Sequence, residues 1–321
     1  MIVIIAPKFD FFTSNVIHWL RNLNVTDIVL INPNSELRVE YVNLSEQKII
    51  LDIDNRKIDF RDISFFWYRG GILPVPVFDW QTTDENVSRQ VKKFINYEWK
   101  VLCDFLFYML QYKKHIGNYF LAETNKLQNI HIAKLCGLSV PATYIAQHNF
   151  REKLNQEYET YIVKPIGESM PFVIDNIAYR LYTNEIDEGC LENNTQLHFP
   201  SLLQNKIEVD FEIRVFVLYE FHEFYSMAIF PFQQDVSCDY RKTACTNRYA
   251  PYDLPENIRQ KLLLFMEKTG LDTASFDLIK TKNEAFIFLE ANPFGNIDMI
   301  NEICGYGIDK RFAEIIYDKY R

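Results

Sequence analysis

Three oxygen-bearing side chains near the C-terminus are placed to hold a hard cation. Glu290 and Asn292 close the apolar run Phe286-Ile-Phe-Leu289, and Asp277 opens Asp277-Leu-Ile279 just upstream. Side chains along a strand repeat every second residue, so Glu290 and Asn292 share a face. If Asn283-Glu284 forms a two-residue hairpin tip, Lys282 pairs with Ala285, and counting outward sets Asp277 opposite Glu290. Like charges facing across a ladder destabilise a sheet unless a cation lies between them. Two carboxylates and an amide oxygen suit Mg2+. The plain alternative is a solvated acidic strand end. The unbroken apolar run predicts a strand buried on both faces.

Cations that suit phosphate stand earlier in the chain. Lys126 lies in a predicted helix from Glu123 to Cys136, which Gly137 ends before the extended Val140-Pro141 exit. Lys164 ends the strand Tyr161-Ile-Val-Lys164, stopped by Pro165. Glu212 and Arg214 share one face of the alternating run Phe211 to Leu218. Arg69 closes the buried strand Ser64-Phe-Phe-Trp-Tyr68, where it would face either substrate or solvent. Taken singly, each of these residues is equally at home on an ordinary solvated surface.

These residues need elements to position them. Ile2-Ala6, a helix from Thr13 to Leu23 and Ile28-Ile31 make a βαβ opening, so the fold class is α/β with α+β character. Ala6-Pro-Lys-Phe-Asp10 stands where a dinucleotide fingerprint would be, and NAD is not expected. Hairpins are predicted over Tyr41–Ile53 and around Asp175-Asn176. A long helix from Asp84 to Tyr112, capped by the Thr82-Thr83-Asp84 cluster, carries an aromatic stripe that reads as core or as dimer surface. A second amphipathic helix, Pro255 to Thr269, is closed by Gly270 and leads into the acidic hairpin. Three parts are expected: 1–118, 119–199 and 200–321.

Composition removes several classes. With 321 residues, 48% of them hydrophobic, the chain is long enough for a large core. A net charge of −9 gives no basic excess for nucleic acid or an anionic membrane. No apolar run approaches a membrane span, and Met1-Ile-Val-Ile-Ile5 reads as a short strand without a basic leader or cleavage site, so a cytoplasmic location is expected. Six scattered cysteines and six histidines without ligand spacing argue against zinc and disulfides.

The order of these pieces resembles the ATP-grasp ligase superfamily along essentially the whole chain. A narrower resemblance rests on Trp67-Tyr-Arg69, Gln204-Asn-Lys-Ile-Glu208, Phe211-Glu-Ile-Arg214, Asp239-Tyr-Arg241, Asn247-Arg-Tyr-Ala-Pro-Tyr-Asp-Leu-Pro255 and Asn292-Pro-Phe-Gly-Asn296. Together these look like the graspetide, or microviridin-type, peptide maturases, and specifically their grasp-with-spasm subgroup. The resemblance implies an N-terminal pre-ATP-grasp domain, a central domain and a C-terminal grasp domain. It also implies an enzyme that uses ATP and Mg2+ to join Glu or Asp side chains of a ribosomal precursor peptide to its own Ser/Thr hydroxyls or Lys amines.

By the same resemblance, Lys126 and Lys164 contact the nucleotide phosphates and Gln204, Lys206 and Ile207 hold adenine. Glu208 or Asp210 takes the ribose hydroxyls. Arg214 stabilises the transferring phosphoryl group, and Asp277, Glu290 and Asn292 carry the magnesium. Asn247, Arg241, Arg248 and Arg69 grip the acceptor carboxylate, for which a guanidinium fork is well shaped. The implied partners are a precursor peptide with a leader segment, bound near Phe172 to Tyr182, a SPASM-type protein, and a second copy of the chain. Two departures stand out: the loop Gly167-Glu-Ser-Met-Pro171 is poor in glycine, and Asn296-Ile297 replaces a Gln-aromatic pair. Ligation of a free amino acid to a peptide or protein end is the first rival reading, and an inactive nucleotide-binding scaffold is the second.

Overall fold

The protein is described from a computed structural model that covers residues 1–76, 78, 83–147, 160–167, 172–175, 177–179, 183–186, 199–231 and 247–321. It divides into two compact units. One comprises Met1–Ala122, Leu271–Thr273 and Ile297–Arg321, and the other Glu123–Gly270 with Ala274–Asn296. In this division the stretches expected as central and C-terminal parts lie largely in one unit, and helix α5 (Ile297–Cys304) and the C-terminal helix fall with the N-terminal stretch.

In the first unit, strands β1 (Ile2–Ile5), β2 (Ile28–Ile31), β6 (Phe65–Tyr68) and β7 (Lys114–Ile116) form a parallel sheet in the order β2-β1-β6-β7. Every residue of β1 and β6 is buried, as expected of central parallel strands covered on both faces. Helix α1 (Phe11–Asn22) starts at Asp10, whose carboxylate accepts the Thr13 N–H at 2.9 Å. It packs on the C-terminal helix α6 (Ile308–Tyr320) through Phe12 and Phe312, whose ring centroids lie 5.5 Å apart. The predicted hairpin appears as β3 (Leu37–Asn43) and β4 (Lys48–Ile53), and a third strand β5 (Arg56–Asp59), not foreseen, completes a meander. Helix α2 (Glu85–Gln111) is capped by Asp84, which takes the N–H groups of Asn86 and Val87; Thr82, part of the expected cap cluster, lies outside the described residues.

The second unit holds helix α3 (Lys126–Leu135) and a four-stranded sheet in the order β12-β9-β13-β8, from β8 (Thr143–Ala146), β9 (Tyr161–Lys164), β12 (Asn184–Glu185) and β13 (Ser201–Asn205). A five-stranded sheet follows in the order β16-β15-β14-β17-β18. Its strands are β14 (Val209–Leu218), β15 (Glu223–Phe230), β16 (Arg248–Pro251), β17 (Thr273–Thr281) and β18 (Phe286–Asn292). Helix α4 (Glu256–Thr269), ended by Gly270 at φ 73°, covers one face of this sheet. Its Phe265 meets Phe276 edge-to-face and Phe288 at a tilt, at 5.5 and 5.4 Å between centroids. The face on α4 therefore carries Phe276 and Phe288, and strand alternation turns Asp277 to the other one. The remaining hairpin, β10 (Phe172–Ile174) with β11 (Ile177–Tyr179), turns at Asp175, whose φ is 48°.

Candidate active site

Asp277 does pair with Glu290 across the β17–β18 ladder, and Ser275 with Asn292. The route to that register differs from the one expected. Thr281 and Ala285 close the hairpin through the Thr281 N–H on the Ala285 carbonyl at 3.0 Å, and Glu284 adopts φ 67°. The tip is thus Lys282-Asn283-Glu284, the three-residue turn with a left-handed last residue. This shifts the pairing by one, to Lys280↔Phe286 and Leu278↔Phe288. A β-bulge between Leu278 and Asp277, where Leu289 is the extra residue, shifts it back. The longer turn and the bulge cancel, and the two carboxylates face each other.

β18 is an edge strand, so only Phe288 in the run Phe286 to Leu289 is fully buried. The expected burial on both faces is corrected accordingly, because the strand has a neighbour on one side only. The Phe288 N–H still finds a partner in the Ser139 carbonyl, at 2.8 Å, so this edge is partly closed by the Gly137-to-Pro141 exit segment. Glu290 and Asn292 are exposed.

Arg214, at the middle of β14, reaches Asp277 with a two-pronged fork, Nε to Oδ1 and Nη2 to Oδ2, each at 2.8 Å. Parallel charge-assisted bonds of this kind fix both side chains in one plane. Each Asp277 oxygen keeps a second lone pair, and Glu290 stands opposite. Asn292 Oδ1 accepts the Phe294 N–H at 2.9 Å, which turns the chain sharply through Pro293 and Phe294. Gly295 then passes over Ser275 so closely that a Cβ there would sit 2.3 Å from the Ser275 Cβ. The Ser275 hydroxyl, on the Asp277 face, is buried without a hydrogen-bond partner. Sequence reasoning overlooked it, since a lone serine in an apolar strand carries no signal.

The site accordingly offers two facing carboxylates, an amide oxygen and an unpartnered hydroxyl on one face. Among the described residues no cluster of three or more His, Cys, Asp or Glu residues could bind a metal. Hard oxygen donors with lone pairs to spare fit a magnesium ion.

Helix α3, which carries one of the expected nucleotide residues, packs on this strand end. Asn129 of α3 donates to the Ala291 carbonyl at 3.4 Å, between Glu290 and Asn292. Lys126, one turn earlier at the start of α3, lies on the same helix face. The helix begins there rather than at Glu123 because Asn125 caps it. Lys126 Nζ reaches the Gly167 carbonyl at 3.3 Å, beside the loop that follows Lys164, so both lysines border one loop. Residues 168–171 of that loop lie outside the described residues.

Gln204 sits within β13, 3% exposed, and donates to Thr143 Oγ1 at 3.0 Å, so its side chain serves the sheet. Lys206, Ile207 and Glu208 form the connection to β14; the Lys206 N–H goes to the Thr160 carbonyl at 2.9 Å and its ammonium pairs with Glu185. Asp210 and Glu208 are exposed.

The arginines are distributed differently from the expected cluster. Arg248 begins β16 at the far edge of the sheet, opposite Phe230. The ladder continues from Phe230 to the position of Phe211, so Arg248 leaves from the α4 side while Arg214 points away from it. Asn247 beside it has both amide atoms buried without partners. Arg241 lies outside the described residues. Arg69, expected to face substrate or solvent, is 6% exposed in the first unit, 3.5 Å from Asp10 and 5.7 Å from the Phe12 ring. Burial pushes its pKa below the ordinary arginine value, against the pull of Asp10 and Asp298. Burial, with Asp10 next, raises the pKa of Asp298.

No protein-family model and no curated protein matches the chain. Solved structures do. Macrocyclase MdnC from Microcystis aeruginosa, bound with precursor peptide MdnA, is 20% identical; 99% of each chain is covered, with a TM-score of 0.79. A RiPP-associated ATP-grasp ligase from Chryseobacterium gregarium, in complex with ADP and a leader and core peptide, is also 20% identical, over 99% of this chain and 96% of that one, at 0.82. The ATP-grasp ligase PsnB, complexed with minimal precursor, Mg and ADP, is 12% identical over 100% of this chain and 97% of that one, at 0.72. From end to end, the chain has the ATP-grasp fold.

Proposed function

We propose that this protein is an ATP-dependent peptide macrocyclase of the graspetide type, which joins Glu or Asp side chains of a ribosomal precursor to Ser/Thr hydroxyls or Lys amines of the same peptide. The observation that carries the reading is the Asp277–Glu290 pair, set by a compensated register beside Arg214, in a fold shared along nearly its whole length with a macrocyclase and peptide-bound ligases.

A carboxylate does not condense with an alcohol or amine in water, because hydroxide is a poor leaving group. ATP is the substrate that solves this: its terminal phosphoryl group passes to a peptide carboxylate, ADP departs, and the hydroxyl or amine of the same peptide then displaces phosphate. Asp277, Glu290 and Asn292 hold Mg2+, which when bound offsets the charge of the phosphates. Arg214 keeps Asp277 in its plane and presents guanidinium charge to the transferring group. Lys126 and Lys164, long point charges around one loop, follow the phosphates. The 206–208 connection supplies backbone groups for adenine, and Glu208 or Asp210 takes the ribose. Asn247 and Arg241 orient the acceptor carboxylate, and nearness with exclusion of water does the rest. The exposed Val173, Ile174 and Tyr179 of the β10–β11 hairpin offer an apolar seat for a leader segment.

Incubating a short peptide rich in Thr, Lys, Glu and Asp, encoded beside this protein, with Mg-ATP and following its intact mass tests the reading. Loss of about 18 Da per ring, the mass of one water lost in each condensation, is expected with ADP formation. A mass gain equal to an added amino acid would replace it with the free-amino-acid ligase. An unchanged peptide with no ADP formed would leave a binding scaffold.

A further inference from the structure

We propose that Ser275 is a positioning residue of the cation site: its hydroxyl oxygen accepts an N–H of the Asn292 amide when the amide oxygen turns to the ion. The inference deepens the ATP-dependent reading and rests on it.

The ladder brings the two side chains together. Ser275 lies two residues before Asp277 on the same face of β17, and Asn292 stands directly opposite it on β18, as Glu290 does opposite Asp277. Side chains paired in this way have Cβ atoms about 5 Å apart, within reach of a hydroxyl–amide hydrogen bond. Their surroundings differ. Asn292 is exposed, whereas Ser275 is 5% exposed. The turn that Asn292 opens folds back over the serine, and Gly295 lies so close that an added Cβ would collide with both Cβ and Oγ of Ser275. The hydroxyl is therefore sealed from solvent, and it has no hydrogen-bond partner.

A sealed hydroxyl of this kind weakens the unloaded protein. Alanine would fill the same position between Ala274 and Phe276 and leave no polar atom orphaned. A partner gained on loading accounts for the serine, and Asn292 is placed to supply it. Asn292 Oδ1 accepts the Phe294 N–H at 2.9 Å, which leaves its second lone pair for a cation. An amide that turns its oxygen to a cation turns its NH2 group away, and Ser275 is the neighbour across the ladder. The other acceptors on this face, Asp277 and Glu290, are the ion's own ligands in the proposed mechanism, and Asp277 is also held by Arg214.

Thermal melts of the full chain with ADP at rising magnesium concentration test this, because a ligand of the native state raises the melting temperature in proportion to its occupancy. Without magnesium, Ser275→Ala should melt at or slightly above the parent. With ADP, it should need about tenfold more magnesium for half of the rise, the loss of one hydrogen bond to the loaded site. In an Asn292→Ala background, adding Ser275→Ala should change the magnesium requirement no further, since the serine acts through that amide. A serine that only packs would lower the metal-free melting temperature and leave the magnesium requirement unchanged, and an unchanged requirement overturns the proposal. So does a tenfold effect that persists in the Asn292→Ala background. A parent that magnesium with ADP fails to stabilise overturns the ATP reading as well, whereas the other two results overturn this inference alone.

Discussion

Two arginines in this molecule each face carboxylates, and the contrast between them separates a site from a strut. Arg214 meets Asp277 in a flat two-pronged contact at 2.8 Å, with Glu290 and Asn292 exposed on the same face. Arg69 lies 3.5 Å from Asp10, against the ring of Phe12, with Asp298 as a second carboxylate whose pKa burial raises. The first set leaves oxygen lone pairs open to a ligand. The second spends its charges on neighbours that come from three separate stretches of chain, and so ties α1, β6 and the C-terminal helices together. Charge composition alone does not distinguish them; the exposure of the surrounding acids does.

The largest effect that would break the contrast is at Asp277. Asp277→Asn should lower ADP formation by about 100-fold or more, since on the proposed mechanism it removes a metal ligand and a transition-state charge partner; its melting temperature should fall as well, but less than that of Arg69→Met, because the amide oxygen still accepts from Arg214 and Glu290 stands opposite. A steady-state ADP assay beside a thermal melt reads both. Arg69→Met should do the opposite: it leaves Asp10 and Asp298 without their counter-charge, costs about 3–5 kcal/mol of stability, and leaves the magnesium dependence of the folded fraction as in the parent. If R69M stays stable but loses peptide turnover, the two arginines belong to one site and the contrast fails.

Gly295→Ala sharpens the comparison at smaller scale. Its added methyl would lie 2.3 Å from Ser275 Cβ, so a strain of about 1–3 kcal/mol should displace the Asn292 turn and weaken magnesium affinity, read by titrating activity against the ion. The smallest expected effect concerns another buried acid, Asp272, whose Oδ2 takes the Gly117 N–H at 2.6 Å. Burial raises its pKa above the ordinary aspartate value, with the hydrogen bond from Gly117 opposing. A raised folded-state pKa favours the native state below the unfolded value, and that stability is lost as pH rises through the folded one. Asp272→Asn keeps an acceptor oxygen and should therefore melt higher than the parent at pH 8 and nearly the same at pH 4; equal melting shifts at both would remove the titration argument.

Much of the fold was legible in sequence because its signals are local. Proline after Lys164, glycine after the α3 and α4 helices, and the Glu212/Arg214 alternation each act within a few residues. The pairing of Asp277 with Glu290 was also legible, though for an incomplete reason: a bulge leaves no mark on side-chain type, and neither did the left-handed Glu284. The burial of Arg69 was not readable, because nothing near Trp67-Tyr68 announces that Asp10 and Asp298 will arrive from distant stretches. The split of the chain into two units was hidden for the same reason. The last helices return to the N-terminal sheet by long-range packing of Phe312 on Phe12 and Trp67.

The compensated hairpin has a consequence for which changes this ladder can absorb. At fixed sequence the three-residue tip and the Leu289 bulge offset one another, so a slip of the tip to Asn283-Glu284 with the bulge retained would set Asp277 opposite Ala291 and move Asn292 to the helix-covered face, opposite Phe276. A residue lost from the tip, or Leu289 itself, leaves Asp277 opposite Glu290, because the pairs on either side of it stay in place. The pairing of the two carboxylates thus withstands a change of length and not a change of register.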